Sequence, residues 1–351
     1  MISKILNTIK YNIVSFFYNS NINHNDPNTI NSKIFQNLNP KCKPKGFLKL
    51  IKWKATTPPT KWPTKIDVKQ YDLPPPCVTE NEQIRISFIG HVTFLIQTNN
   101  INILTDPVWV KRASPFKFIG PKRVTPPGIK FKDLPKIDLI LISHNHYDHL
   151  DLETISKLWK LYKPIIIAPL KNDTILKKHI PNIEVVTLNW EQQIYLNVFS
   201  QLSITLKPAQ HWSARGLFDI NKALWGSFLI NTPAGEIFFI GDSGYSQDLY
   251  QKIGNQHKIF ISLIPIGAFA PRWFMQDIHM DPKEAVLAHK DLKTTYSIAS
   301  HFNTFPLASD GYNQAVNELS IALNHHQISK KKFIIPEIGQ AYWFNSNSLF
   351  H

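Results

Sequence analysis

The chain has 351 residues, of which 43% are hydrophobic, and a formal net charge of +14. This length and apolar content allow one large domain or two smaller ones, and they exclude a largely disordered chain. Lys and Arg outnumber Asp and Glu by 39 to 25. That excess favours anionic partners such as phosphate esters, anionic lipid surfaces or nucleic acid, without choosing among them.

The first 20 residues combine Lys4 and Lys10 with a short apolar stretch. The stretch is too short to cross a bilayer, and the segment lacks the longer apolar core and cleavage site of a secretory signal peptide. We therefore expect a cytoplasmic protein or one peripheral to a membrane. The spacing predicts a short amphipathic helix that rests on the folded domain or on a membrane surface. Its apolar face would consist of Ile5, Ile9, Ile13, Phe16 and Phe17.

Residues 21–80 are rich in Asn, Lys and Pro. This composition predicts little regular structure, and we interpret the stretch as an extended segment that wraps around a folded body. Its aromatic residues argue against free disorder, since a solvated tail has little use for them. The residues expected to anchor the segment are Phe35, Phe47, Trp53 and Trp62.

The predicted organisation is an N-terminal extension, residues 1–83, followed by one folded domain, residues 84–351. The two cysteines, Cys42 and Cys77, both lie in the extension. They could pair with each other, but two cysteines form no disulfide framework and do not indicate an oxidising compartment.

Short apolar runs of strand length begin at residue 84, and most are rich in Ile, Val or Phe and bounded by Gly, Pro, Asn or Asp. The predicted strands are 84–89, 93–97, 101–104, 139–142, 165–168, 185–188, 202–206, 224–230, 237–240, 260–264 and 296–299. Helical spacing predicts a helix at 152–162, and further helices are expected at 172–179, at 246–253 and at 310–324. Asp281 as N-cap, Pro282 at the first helical position and Glu284 three residues after the cap predict a capping box and a helix that runs from 281 to about 290. Because strands and helices do not alternate strictly, we predict an α/β fold of two packed sheets with helices on the outer faces.

A dense group of polar residues follows the mostly apolar run 137–142, namely Ser143-His144-Asn145-His146-Tyr147-Asp148-His149-Leu150-Asp151. Imidazole and carboxylate together suit zinc or a similar first-row ion. On an extended loop, His144 and His146 can face one cation while Asp148 and His149 face another. The alternative is a polar turn with exposed histidines, but turns ordinarily use Gly, Asn, Asp, Ser and Pro. The segment therefore predicts the start of a two-metal site.

Further candidate ligands follow later strands, where loops gather and sites are commonly built. His211, Asp242 and His301 each lie just beyond an apolar run, and the Asp242 carboxylate has two oxygens with which to bridge two ions. Each of them alone could be a turn cap or a satisfied polar group. Asp106 has the same placement and is predicted to orient a ligand histidine, with an Asp-Pro turn as the alternative.

These residues resemble the metallo-β-lactamase superfamily, whose motif His-x-His-x-Asp-His is matched by His144, His146, Asp148 and His149. A longer set of motifs resembles the branch of N-acyl-phosphatidylethanolamine-hydrolysing phospholipase D. That set includes Gly90-His91-Val92-Thr93, Leu104-Thr105-Asp106-Pro107, Gln210-His211-Trp212, Leu224-Trp225-Gly226-Ser227, Gly241-Asp242-Ser243-Gly244 and Pro271-Arg272-Trp273-Phe274. The resemblance covers roughly residues 84–310 and also touches Phe35-Gln36-Asn37 in the extension.

The resemblance implies an αββα sandwich that holds two Zn²⁺ ions. His144, His146 and His211 would bind one ion, and Asp148, His149 and His301 the other. Asp242 would bridge the two ions, and Asp148 and Asp242 would be the catalytic carboxylates. The implied enzyme is a zinc-dependent phosphodiesterase of phospholipase D type, which converts N-acyl-phosphatidylethanolamine-like lipids to phosphatidic acid and N-acylethanolamine.

An anionic diacyl substrate requires a basic and apolar entrance. Lys111, Arg112, Phe116, Lys117, Phe118, Lys122 and Arg123 could provide one, and so could Arg272, Trp273 and Phe274. We predict that His279, Arg272 and Trp273 contact the substrate. The alternatives are a solvated basic loop and a helix-flanking histidine without a role. The chain departs from the branch at Phe302-Asn303, where Trp-Gly is common, and at Ile278, where a Gln is expected before the histidine.

The nearest alternative function is a metal-dependent lactonase or small-molecule phosphodiesterase on the same fold. A nuclease is disfavoured, because no additional nucleic-acid-binding element is evident. A non-catalytic membrane-binding protein with structural zinc is the alternative from another class. The expected partner is an anionic phospholipid or another phosphodiester, with peripheral membrane contact; the sequence makes no prediction about oligomeric state.

Overall fold

The computed structural model describes residues 28–346 except 41, 44, 59, 81, 197, 198 and 200. The amphipathic helix predicted within the first 20 residues lies outside the described part. The side chain of Phe47 also lies outside it.

Two seven-stranded sheets form the centre of the molecule. In spatial order the first sheet contains β14 (Ala341–Asn345), β1 (Gln83–Gly90), β2 (Thr93–Thr98), β3 (Ile101–Thr105), β4 (Leu139–Leu141), β5 (Ile165–Pro169) and β6 (Val186–Leu188). The second contains β13 (Phe333–Ile334), β12 (Tyr296–Ser300), β11 (Ile259–Pro265), β10 (Gly235–Phe239), β9 (Ser227–Thr232), β8 (Ser203–Lys207) and β7 (Gln193–Tyr195). Each strand predicted from the sequence is present.

Both sheets are mixed, and this sets where their loops meet. In the first sheet β2 runs antiparallel to β1 and β3, while β3 and β4 are parallel. In the second, β9 runs antiparallel to β8 and β10, and β10, β11 and β12 are parallel. The carboxyl ends of β1, β3 and β4 therefore share one edge of the first sheet, and those of β8, β10 and β12 share one edge of the second.

Helices lie outside the sheets. They are α1 (Phe47–Thr56), α2 (Leu152–Tyr162), α3 (Asn172–His179), α4 (Gln247–Gln256), α5 (Arg272–Met275), α6 (Pro282–Asp291) and α7 (Gln314–His325), with a short 3-10 helix at Phe131–Asp133. Helix α3 packs on β5 and β6, and α6 packs on β11 between α4 and α7. The predicted capping box of α6 is present, with Asp281 and Glu284 each bonded to the other's backbone. None of the described helices has the length and apolarity that a bilayer crossing requires.

The apolar core has two main parts. One joins the facing sides of the two sheets through residues such as Phe88, Phe239 and Ile298, and it extends to the helices behind the second sheet. The other lies between the first sheet and α2, where Ile155, Leu158 and Trp159 pack on β4 and β5. This layering, with helices outside two stacked sheets, is the predicted αββα sandwich, and the predicted fold class is confirmed.

Several features differ from the expectations. Helix α1 lies in the stretch where little regular structure was predicted. The seventh strand of the first sheet, β14, comes from the far end of the chain and pairs antiparallel with β1. Strand β9 begins at Ser227 rather than at residue 224, because the backbone of Leu224 and Gly226 donates instead to Leu170 and Ser143.

Three aromatic residues of the described part of the extension contact the folded body. Phe35 is fully buried and Trp53 is 5% exposed. The Trp62 indole donates to the Asp310 carbonyl over 2.8 Å. Cys42 and Cys77 are both free, so the pairing considered for them is absent.

Candidate metal centre

The candidate ligands meet because they follow strands that end at the same edges. Asp106 follows β3, the His144–His149 segment follows β4, and His211, Asp242 and His301 follow β8, β10 and β12. Asp106 and His301 have positive φ angles of 32° and 59°, a backbone conformation that non-glycine residues seldom adopt outside turns and functional sites. The sharp turns after these strands aim the side chains into one space.

A glycine allows the two sheets to approach each other at this edge. Gly241 directly precedes Asp242 and has a φ of +67°. A Cβ atom at this position would lie 2.6 Å from the Ser143 Cβ atom, which is too close for real contact. Any other residue at position 241 would therefore push the Asp242 loop away from the histidine segment.

Three imidazoles form the first ligand cluster. His144 Nε2 lies 2.9 Å from His146 Nδ1, and His211 Nε2 lies 3.3 Å from the same atom. The Ser143 hydroxyl donates to Asp106 and accepts from His144 Nδ1 at 2.9 Å. His211 Nδ1 donates to the Ile278 carbonyl over 2.9 Å. Because the Nδ1 atoms of His144 and His211 carry the protons, the Nε2 lone pairs of these two residues face the cluster.

The second ligand cluster contains two imidazoles and a carboxylate. His149 Nε2 and His301 Nε2 each lie 3.2 Å from Asp148 Oδ2. The His149 Nε2 atom is buried and makes no hydrogen bond within the described chain, although two carboxylates lie beside it. The donor atoms of His149, His301 and Asp148 therefore lie within 4.8 Å of one another.

Asp242 stands between the two clusters. Its Oδ2 atom lies 3.1 Å from His149 Nε2, 3.2 Å from His301 Nε2 and 3.7 Å from His211 Nε2. Its Oδ1 atom is buried and has no hydrogen-bond partner among the described residues. This is the position that a bridging carboxylate requires.

The two clusters have different electrostatics. Burial lowers the pKa of His146 to about 3 and that of His211 to about 4, so both imidazoles are neutral. Burial also opposes protonation of His149, but Asp242 and Asp148 raise its pKa well above the usual value. The first cluster therefore offers neutral nitrogen donors, and the second favours a positive charge.

The residues fit a pair of first-row metal ions. Neutral imidazole nitrogens and carboxylate oxygens are the donors that zinc and similar ions take in proteins. Sets of donor atoms within 4.8 Å of one another include His144, His146 and His211, and also His91, Asp148, His149 and His301. Buried donors without hydrogen-bond partners are costly unless a ligand satisfies them.

Asp106 lies directly behind the ligand segment. Its Oδ2 atom accepts from His149 Nδ1 over 2.7 Å and from the Ser143 hydroxyl over 2.6 Å. Its Oδ1 atom accepts from the Ser143 amide over 2.7 Å. The carboxylate thus fixes the ring of His149 with Nε2 toward the centre, which is the geometry that its predicted role requires.

Of the three predicted substrate-contacting residues, His279 lies beside the centre. His279 Nδ1 is buried without a hydrogen-bond partner in the described chain and lies 3.8 Å from Asp242 Oδ2. The Arg272 guanidinium donates to Glu284 and, over 2.8 Å, to the His279 carbonyl. Trp273 is 39% exposed. Arg272 therefore supports His279, and Trp273 is the more accessible of the three.

Sequence reasoning assigned no role to two residues that the structure places at the centre. His91 follows β1, and its Nε2 atom lies 2.9 Å from Asp148 Oδ2. The rule that selected His211 and His301, a histidine just beyond an apolar strand, also applies to His91. Arg215 donates to the carbonyls of Asn145 and Leu150, each over 2.9 Å. It thereby holds both ends of the ligand segment, and its loop position gave no signal.

The basic and apolar loop predicted at the entrance is largely exposed. Phe116 and Phe118 are 55% and 80% exposed, and their ring centroids are 5.8 Å apart. Arg123 lies over the Phe305 ring at 4.7 Å, and Phe305 packs edge-on against His91. The loop is therefore linked to the second cluster through two side-chain contacts.

Comparison with known proteins agrees with this geometry. Residues 101–302 match the family model of the beta-lactamase superfamily domain. The chain is 37% identical over 237 residues to N-acyl-phosphatidylethanolamine-hydrolyzing phospholipase D 1 of Caenorhabditis elegans, covering 64% of this chain and 65% of the relative. It is 31% identical over 282 residues to the mitochondrial N-acyl-phosphatidylethanolamine-hydrolyzing phospholipase D of Saccharomyces cerevisiae, covering 77% of this chain and 59% of the relative. The aligned part thus spans less than two thirds of each relative.

Solved structures show the same architecture. A metallo hydrolase from the archaeon Ignicoccus hospitalis matches with a TM-score of 0.58 and 22% identity, over 75% of this chain and 99% of that one. At this identity the likeness supports the fold alone. Together with the match over residues 101–302, it shows that the chain belongs to the beta-lactamase superfamily and has the fold of its metallo-hydrolases.

Proposed function

We propose that this protein is a zinc-dependent phosphodiesterase of phospholipase D type that hydrolyses N-acyl-phosphatidylethanolamine-like lipids to phosphatidic acid and N-acylethanolamine. The observation that carries the proposal is the pair of ligand clusters that share the Asp242 carboxylate. Such an arrangement suits phosphodiester hydrolysis, because two adjacent cations stabilise both the attacking and the leaving oxygen. The identity to phospholipase D relatives supports the lipid substrate.

The proposed ligands are His144, His146 and His211 for one zinc ion, and Asp148, His149 and His301 for the other, with Asp242 between them. When bound, the ions would supply a nucleophile by lowering the pKa of water toward neutrality. Asp148 would orient a water molecule at the centre and accept its proton. His91 donates to Asp148 and keeps the carboxylate facing the centre, since their atoms are 2.9 Å apart.

Because water would be the nucleophile, hydrolysis needs no serine or cysteine side chain to attack the phosphorus. His279 faces the centre with a buried nitrogen that has no hydrogen-bond partner among the described residues, and we propose that it contacts the phosphate head group. Trp273 is 39% exposed and follows Arg272 in the chain, and we propose that its ring also contacts the substrate. In this scheme Arg272 acts chiefly through its bond to the His279 carbonyl.

We further propose peripheral contact with a lipid surface at the entrance. Phe116 and Phe118 are 55% and 80% exposed, and their ring centroids are 5.8 Å apart; exposed apolar side chains that cluster beside basic residues are typical of a membrane-binding surface. Lys117 and Lys122 accompany Phe118 in its loop.

We also propose that residues 1–83 form an extension and that residues 84–351 form the hydrolase domain.

The experiment is hydrolysis of vesicles that contain N-acyl-phosphatidylethanolamine by the purified, zinc-loaded protein in H₂¹⁸O. Attack at phosphorus places ¹⁸O in the phosphatidic acid and none in the N-acylethanolamine, as mass spectrometry would show. Asp242→Asn should abolish both products. Asp173→Asn is the matched control, because Asp173 pairs with Lys177 on the surface of α3. Absence of phosphatidic acid from the wild type would refute the lipid substrate.

The alternative is a lactonase or small-molecule phosphodiesterase on the same fold. Two departures from the phospholipase branch, at Phe302 and Ile278, favour this alternative. Phe302 stacks on Phe88 in the core with ring centroids 5.5 Å apart, and Ile278 packs among Trp53, Phe274 and Met275. Turnover of an acyl-lactone or of bis(p-nitrophenyl) phosphate, without turnover of the lipid, would support this alternative.

A further inference from the structure

A buried asparagine in the N-terminal extension bonds to the backbone of a candidate ligand. Asn37 Nδ2 donates to the His211 carbonyl over 2.7 Å, and the His211 amide donates to Asn37 Oδ1 over 3.1 Å. The two residues are 174 positions apart, and Asn37 is 5% exposed. The amide side chain thus pairs with both backbone groups of His211, as a neighbouring strand would.

The remaining bonding capacity of Asn37 is also used. Its Nδ2 group donates to the Cys42 carbonyl over 2.7 Å, and its Oδ1 atom accepts from the Trp225 indole over 3.2 Å. The same indole donates to the Ala209 carbonyl, two residues before His211. A side chain held in this way has one orientation, so it fixes the backbone that it contacts.

The surrounding chain reinforces this contact. We name residues 28–46 the N-terminal strap. The Phe35 amide donates to the Asn221 carbonyl over 2.8 Å, and the Asn221 amide donates to Ser213, so the strap meets the loop after β8 at a second point.

The strap also holds the segment that orients the imidazole of His211. Lys45 forms an ion pair with Asp277, which directly precedes Ile278. The Ile278 carbonyl accepts from His211 Nδ1 over 2.9 Å. The backbone and the ring of His211 are therefore both positioned from the strap.

We propose that Asn37 is a positioning residue for the first ligand cluster, and that order in the N-terminal strap and metal binding at His211 are thermodynamically coupled. Partners that orient a ligand typically contribute 10–100-fold to metal affinity. Because coupling is reciprocal, a bound ion stabilises the strap by the same free energy with which the strap stabilises the ion. The inference rests on the proposed function only in requiring a metal ion at this cluster.

The chain offers a matched control for Asn37. Asn102 is also buried, and its Nδ2 group donates to the carbonyls of Pro76 and Lys136 over 2.7 and 2.8 Å. It lies near the start of β3, whereas Asp106 follows the end of that strand. Asn102→Ala therefore removes an equivalent amide far from the ligand clusters.

The test is titration of the wild type, Asn37→Ala and Asn102→Ala with Zn²⁺ against a chromophoric chelator, which reports the affinity of each site without using catalysis. We expect Asn37→Ala to weaken one of the two sites about 10–100-fold and Asn102→Ala to change neither by more than about twofold. Equal effects of the two variants, or no effect of Asn37→Ala, would overturn the inference and leave the proposed function intact. A wild type that binds no zinc would instead refute the proposed function.

Hydrogen exchange of the wild type tests the coupling without any variant. Zinc should slow exchange of the Phe35 amide and of its neighbours in the strap by at least about tenfold, while amides in α7 change little. Unchanged exchange in the strap of a protein that has bound two zinc ions would also overturn the inference.

Discussion

Asp106 is held at the centre by hydrogen bonds from Ser143 and His149. Both oxygens accept hydrogen bonds, Oδ1 from the Ser143 amide and Oδ2 from the Ser143 hydroxyl and His149 Nδ1. An asparagine has only one accepting oxygen, so Asp106→Asn would place an NH₂ group against a donor. We expect zinc affinity to fall about 10–100-fold, measured by chelator competition.

The control for that substitution is Asp138→Asn. Asp138 accepts from the Asn102 amide and pairs with Lys136 just before β4, while the ligand segment follows β4. Urea unfolding of both variants separates a loss of metal affinity from a loss of stability. An Asp106→Asn protein that binds zinc as tightly as Asp138→Asn would contradict the predicted orienting role.

The candidate ligands were accessible to sequence reasoning to different degrees. His144, His146, Asp148 and His149 are adjacent in the chain, so their spacing alone indicated metal. His211 and His301 required the further step that loops after parallel strands meet at one edge. The resemblance included Asn37 within Phe35-Gln36-Asn37, but its contact with His211 could not be predicted, because the two residues lie 174 positions apart and a stretch rich in Asn and Pro has no periodicity that marks one residue.

At the scale of the element, the capping box at the start of α6 fixes Glu284, which pairs with Arg272, and Arg272 in turn bonds to the His279 carbonyl. The Glu284 amide donates to Asp281 Oδ1 over 2.9 Å, and Glu284 returns a bond to the Asp281 amide. We expect Asp281→Ala to lower the free energy of unfolding by about 1 kcal/mol. Asp281→Asn should retain most of that free energy of unfolding, because asparagine caps helices equally well. Urea denaturation measures both, and an equal loss in the two variants would show that capping is not the cause.

The contact between α6 and β12 makes stability depend on pH. His289 Nδ1 lies 2.8 Å from the Ser297 hydroxyl, and burial together with Lys332 lowers its pKa to about 4. Between pH 6.5 and 4 the unfolded chain binds a proton at this position and the folded chain does not. The contribution of neutral His289 is therefore complete above about pH 6.5 and is lost as the pH falls.

His289→Gln isolates that contribution from the other histidines. The difference in unfolding free energy between the wild type and this variant should be constant above about pH 7. It should fall by up to about 3 kcal/mol as the pH is lowered to about 4. Chemical denaturation at a series of pH values measures the difference, and a curve that stays flat would contradict the assignment.

Elements with strong local patterns were predictable, and elements defined by distant partners were not. Helices α2 and α3 have the predicted bounds, Leu152–Tyr162 and Asn172–His179. Helix α1 was missed because its apolar residues do not form a buried stripe: Trp53 is buried, whereas Leu48 is 80% exposed. Strand β14 was missed because its pairing with β1 is set by residues more than two hundred positions away.

At the scale of the whole molecule, the proposed ions would join the two sheets. The candidate ligands come from loops of both, with Asp148 and His149 after a strand of the first sheet and His211 and His301 after strands of the second. Removal of metal by a chelator should therefore lower the melting temperature, on the order of 10 °C for two ions that are each present at 100–1,000 times their Kd.

Adding back different metal ions controls the melting experiment for metal specificity. Zn²⁺ should restore the melting temperature, and Mg²⁺ should not, because Mg²⁺ prefers oxygen donors in octahedral geometry. Asp242→Asn should melt at a temperature that depends less on zinc. A melting temperature that is insensitive to the chelator in a protein shown to contain zinc would contradict the role of the ions as a link between the sheets.

The pairing of β14 with β1 determines the order in which a nascent chain can assemble. Strands β7 to β13 are contiguous along the chain, so the second sheet can form as soon as residue 334 has left the ribosome. The first sheet, in contrast, keeps one side of β1 uncovered until residues 341–345 emerge. Until then β1 is an unprotected edge, which is the kind of surface that recruits chaperones or pairs with a neighbouring chain. Closure of the first sheet therefore waits for β14, which follows every other strand of the described chain.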